Sequence, residues 1–143
     1  MEGEIISLTK VNDNLFSEKV LGDGYAINPR ENKVVSPIDG EVSIVFPTGH
    51  AYGIINSSGV EVLIHLGLET VEYEGKGFTS HVKVGDLVSK GQLLAEMDLD
   101  FFIEEKIDIT SMLVLTSGQS VKIEEENSIV TLGQSDVATI EAS

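Results

Sequence analysis

Closely spaced turn signals constrain this chain most. Gly22-Asp23-Gly24, Asn28-Pro29, Ile38-Asp39-Gly40, Asn56-Ser57-Ser58-Gly59, Gly75-Lys76-Gly77, Gly85-Asp86, Lys90-Gly91 and Ser117-Gly118 recur at short intervals, with runs rich in Val and Ile between them. Such spacing leaves room only for short strands, the pattern of an all-β sandwich or barrel. Residues 100–106 are the one segment that reads as helical, about two turns at most. The phrases SPIDGEV and VKVGDLVSKGQLL predict paired hairpins rather than a solenoid repeat. Composition does not break anywhere along residues 1–143, so the expectation is one domain, long enough to bury a core.

Charge narrows the classes of partner. Asp and Glu number 24 against 9 Lys and Arg, a formal net charge of −15. A chain this acidic is repelled by phosphate backbones and by anionic lipid surfaces. The same field steers in a basic partner protein. The acids are spread along the chain apart from Glu124-Glu125-Glu126, which reads as a solvated turn or strand end. Cysteine is absent, which excludes disulfides, a thiolate nucleophile and cysteine-held metal, and suits the cytosol. No apolar run reaches bilayer length, and MEGEIISLTK lacks the basic lead and apolar stretch of a secretory signal.

Two of the three histidines bracket one segment, HAYGIINSSGVEVLIH, residues 50–65. If Ser57-Ser58 is a two-residue hairpin loop, His50 falls opposite His65 and Ile55 opposite Val60. Directly opposed residues share a face, with Cβ atoms about 4.5–5.5 Å apart. That register predicts a core face of Ala51, Gly53 and Ile55 against Val60, Val62 and Ile64. The other face carries His50, Tyr52 and Ile54 against Glu61, Leu63 and His65. An odd loop would put the histidines on opposite faces and break the apolar set. Thr48, two residues before His50, supplies a hydroxyl able to fix which ring nitrogen holds the proton. Paired neutral imidazoles bind metal, run acid–base chemistry or carry a phosphoryl group on nitrogen. The blander alternative is two half-buried histidines that only satisfy hydrogen bonds.

Five phrases, taken in order, carry a resemblance: KVLGDGYAINP, VVSPIDGEV, FPTGHAYGI, GVEVLIHLGLETV and GKGFTSHVKVGDLVSKGQLLAEMDLDFFI. Over nearly its whole length the sequence resembles the glucose-type enzyme IIA domain of the bacterial sugar phosphotransferase system. The resemblance implies an antiparallel β-sandwich of distorted-barrel form with a short helix, and no cofactor. It implies a cytoplasmic phosphoryl relay in which HPr donates to IIA and IIA donates to a IIB domain, with the membrane reached only through a IIC domain. His65 matches the phosphoryl acceptor, His50 the neighbour that binds phosphate oxygens, and Thr48 the hydroxyl bonded to His50. Backbone N–H groups near Gly67 are expected to assist. A shallow apolar docking surface is expected from Leu15, Phe16, Val20, Leu66 and Leu68.

Some residues depart from that pattern. Glu69 stands where the family has aspartate, which keeps the charge and lengthens its reach by one methylene. The resemblance starts inside a Pro-x-x-Gly phrase, at Met1-Glu2-Gly3-Glu4, which leaves an excised domain and a trimmed one as the two expectations. His81 reads as a surface residue. Rival classes need residues that are missing. A biotinyl or lipoyl carrier needs a lysine at a tight hairpin tip, and Lys76 has glycine neighbours instead. A lysostaphin-like zinc peptidase needs His-x-His, and the second position after His65 is Gly67. Two histidines hold zinc only weakly unless a partner adds a carboxylate. A regulatory module read out by its phosphorylation state would use the same site.

Overall fold

A computed structural model describes residues 3–7, 23–29, 32–47, 49–67, 77–117, 120–123, 129–130 and 138–141, with side chains from residue 24 to 117 within that set. Thr48, Leu15, Phe16, Val20, Leu68, Glu69, Lys76 and the Glu124-Glu125-Glu126 run lie outside the described residues. The strands are β1 (Gly3–Ser7), β2 (Asp23–Pro29), β3 (Lys33–Val35), β4 (Gly40–Val45), β5 (Ala51–Ile55), β6 (Glu61–His65), β7 (Phe78–Ser80), β8 (Leu87–Val88), β9 (Leu93–Met97), β10 (Ser111–Leu115), β11 (Ser120–Ile123), β12 (Ile129–Val130) and β13 (Ala138–Glu141). The helix, α1, is Leu99–Glu104.

Eight strands form one sheet in the order β12-β1-β2-β10-β6-β5-β4-β8; three more pair as β3-β9-β7 and two as β11-β13. Each of these pairings is antiparallel. The large sheet ends on β12 and β8, so among the described residues it stays open and no barrel closes. One apolar cluster joins the sheets. Val42, Tyr52, Ile54, Val62, Ile64 and Leu115 of the large sheet pack with Val34, Leu94 and Met97 of the small one and with Phe102 of the helix. Burying each such side chain contributes about 1.5–3 kcal/mol.

The two glycine-bearing phrases pair with each other. Gly91 N–H donates to Ser36 C=O at 2.8 Å, Gly40 lies opposite Val88, and the Lys90 N–H donates to the Asp39 carboxylate at 2.6 Å. The helix starts and ends earlier than residues 100–106. Asp98 caps it by accepting the Phe101 N–H at 3.2 Å, and Lys106, at φ 58°, has left the helical region.

The β5–β6 register differs from the expected one. Ala51, not His50, lies opposite His65, and Ile54 opposite Val62. The loop is odd: Asn56 N–H donates to Val60 C=O at 3.0 Å, and Ser57, Ser58 and Gly59 lie between. Gly59 N–H closes a turn on Asn56 C=O at 3.1 Å, with Gly59 at φ +85°, a conformation glycine adopts without cost. The Asn56 carboxamide accepts from Ser58 and Val60 N–H at 2.9 and 3.0 Å, which fixes the three-residue loop. Tyr52 and Ile54 therefore join Val62 and Ile64 in the core, while Ile55 is exposed. Ala51 and Gly53 turn to the other face, where Ile44 covers Gly53. Asn56→Ala is expected to cost about 1 kcal/mol, since the N–H groups it frees reach water. A urea midpoint lowered at unchanged slope is the expected reading.

Candidate functional site

Strand alternation alone would set His50 and His65 on opposite faces in this register, yet their rings meet. The centroids are 5.1 Å apart at 74°. His50 lies just outside β5, in a bend that follows Gly49 at φ +73°. A turn closed by Gly49 N–H on Phe46 C=O at 2.8 Å brings the chain back from β4. The bend frees His50 from the strand's alternation. The pairing expected from an even hairpin is thus reached by an odd hairpin and a bend.

Backbone ties hold the pair. Leu66 N–H donates to His50 C=O at 2.7 Å, which links the end of β6 to the bend. The His65 Nδ1 lies 2.9 Å from Gly67 C=O. A carbonyl oxygen only accepts, so Nδ1 carries the proton and Nε2 the lone pair. Gly67 N–H donates to the Ser111 hydroxyl at 3.2 Å. The amides of Leu66 and Gly67, two of the N–H groups near Gly67, are therefore engaged inside the protein, while those of Leu68 and Glu69 lie outside the described residues.

A third ring extends the site. Phe46 packs edge-on against His50 at 5.1 Å and 89°, and its own surface is 39 % exposed. Ile44, beside it on β4, is 36 % exposed. Among the described residues, Phe46 is exposed apolar surface in contact with His50, and Ile44 stands two residues before it. Leu66, expected on the docking surface, is fully buried and belongs to the core. The only sign of Phe46 in the sequence is its place four residues before His50 in FPTGH.

Residues 1–121 match the model of the family described as phosphoenolpyruvate-dependent sugar phosphotransferase system, EIIA 1. The chain belongs to this EIIA family. The glucose-specific EIICBA component of the phosphotransferase system of Streptococcus pneumoniae is 43 % identical over 131 residues, covering 90 % of this chain and 18 % of that protein. The chain thus spans under a fifth of the length of this curated relative. The glucose permease IIA of Mycoplasma capricolum superposes with a TM-score of 0.77 at 43 % identity, covering 80 % of this chain and 75 % of that one. The antiparallel sandwich expected from the sequence is the architecture of this EIIA chain.

Elsewhere in the EIIA chain, His81 is on the surface and its Nε2 lies 3.1 Å from Glu96 Oε1. Among the described residues, no three His, Cys, Asp or Glu side chains converge to hold a metal ion.

Burial sets the charge state of His50. With 4 % of its surface exposed, its imidazole is held below its ordinary value of 6.5 by loss of solvation. The folded state thus takes up the proton at lower pH than the unfolded state. Its stabilising contribution is complete above pH 6.5 and is lost as pH falls through the depressed folded value. His65 is the titratable ring it faces. In His50→Gln, the loss of thermal stability on going from pH 7 toward pH 5 is expected to be shallower than in wild type, read as paired melting curves.

Proposed function

We propose that this chain is a phosphoryl-carrier domain spanning residues 1–143, which accepts a phosphoryl group on His65 from phospho-HPr and passes it to a IIB domain for sugar uptake. The contact of His50 with a His65 whose Nδ1 is tied to Gly67 C=O carries this reading. That tie leaves the Nε2 lone pair as the nucleophile, aimed away from the backbone acceptor. In-line attack forms the new P–N bond while the bond to the donor breaks, with the donor keeping the bonding pair. Catalysis of such transfers is mainly positioning and charge stabilisation. His50, in ring contact with His65, supplies a group next to the transferring oxygens. Thr48 is assigned the hydroxyl that orients His50, by its place in the FPTGH motif. Phe46 and Ile44 offer the apolar ground on which HPr and IIB dock in turn.

The IIB and IIC partnership is supported by the streptococcal relative, whose name joins the three components in one chain. A cytoplasmic location follows from that role. No helix among the described residues is long and apolar enough to cross a membrane. Incubation with phosphoenolpyruvate, enzyme I and HPr, followed by intact-mass measurement, tests the proposal. One acid-labile, base-stable phosphoryl group is expected, and an adduct on serine or threonine would refute it.

A further inference from the structure

Ser111 opens β10 and is fully buried, with no part in the transfer just described. Its hydroxyl donates to Ile109 C=O at 3.0 Å and accepts the Gly67 N–H at 3.2 Å. Gly67 in turn accepts the His65 Nδ1–H at 2.9 Å through its carbonyl. A continuous chain of hydrogen bonds thus runs from the body of the fold to the imidazole.

The weak link in that chain is Gly67 itself. Its N–H and its C=O belong to different peptide planes, joined at a Cα whose two dihedrals are the softest of any residue. Gly67 sits at φ +78°, outside any secondary structure. The anchor on the N–H side fixes one of the two planes, and with it the place of the Cα from which the carbonyl reaches His65. Without that anchor the carbonyl swings, and the acceptor that selects the Nδ1–H tautomer of His65 is lost. The Met112–His65 pairing of β10 with β6 places Ser111 one residue from the acceptor's direct neighbour, so the anchor is part of the same sheet that carries the histidine.

We propose that Ser111 is a positioning residue for His65: by clamping the Gly67 peptide it keeps the proton on Nδ1 and the lone pair on Nε2. This rests on His65 as the phosphoryl acceptor, but its test does not need the transfer. Long-range 15N–1H correlation spectra report which ring nitrogen holds the proton. Wild type is expected to show His65 as the Nδ1–H tautomer. Ser111→Ala is expected to show a population with the proton on Nε2, and a phosphorylation rate from HPr lower by about tenfold, the lower end of the loss when the partner orienting a metal-ligating histidine is removed. Ser111→Thr, which keeps the hydroxyl, is expected to restore the wild-type tautomer. A wild-type nitrogen pattern in folded Ser111→Ala would overturn the proposal. If that variant does not fold, wild type decides. A His65 proton on Nε2, or a Gly67 amide exchanging as fast as an exposed loop, would overturn it; a proton on Nδ1 with a protected Gly67 amide would sustain it. Failure of wild type to take up phosphate while its tautomer pattern holds would overturn the carrier reading alone.

Discussion

His65→Ala is expected to gain no phosphoryl group in a mixture of phosphoenolpyruvate, enzyme I and HPr, whereas wild type gains one. The effect is all-or-none because a bond to nitrogen is lost, not a contact. His65 is half-buried at the end of β6, so truncating it leaves the apolar cluster below untouched. The Gly67 carbonyl loses its donor, at a cost of about 1 kcal/mol. The variant should therefore melt within a few degrees of wild type, and that melting curve is the control. Intact mass reads the phosphoryl group directly. Labelling of His65→Ala at the wild-type level would move the acceptor to another residue, and the exposed His81 would be the first to examine.

The second large effect is expected at His50. His50→Gln keeps a hydrogen-bond donor and most of the volume between Phe46 and His65, but loses the ring that meets both. Its phosphoryl uptake from HPr should stay near wild type, because the nucleophile and its tautomer are unchanged. Transfer onward to IIB should fall by about 10²–10³, the usual loss when one well-placed donor is removed from such a site. Single-turnover rates for the two half-reactions separate the effects. Equal rates in both directions for mutant and wild type would make His50 a packing residue and nothing more.

The meeting of the two histidines is legible in the sequence, by a partly mistaken route. Turn spacing disclosed short antiparallel strands because glycine and asparagine are tied to backbone conformations that few other residues adopt. The two histidines were singled out correctly as a pair. Their register was not, because an alternating apolar pattern fits either parity when a segment such as AYGII is apolar throughout. Asn56-Ser57-Ser58-Gly59 held the deciding information: a glycine in the third loop position is what a three-residue hairpin with a left-handed last residue requires. Leu66 looked like surface because it neighbours His65, yet the bend after β6 turns it into the core. Ser111 left no trace in TSMLVL, since a serine at a strand start has many uses and only the fold brings it to Gly67.

The inward commitment of the Leu66 and Gly67 amides bears on how such a carrier lets go. A deep anion cradle would hold phosphate as a helix N-terminus or glycine-rich loop does, lowering the energy of the loaded state and leaving a higher climb to unloading. At these two positions the backbone is already spent, on His50 and on Ser111. Among the described residues, charge on a phosphorylated His65 would then be met by its side-chain neighbour His50 and by whichever protein is docked. On a chain with a net charge of −15, an added dianion is poorly tolerated in isolation. The cargo is therefore most comfortable while a partner is present, a bias toward handing over at each encounter instead of storing.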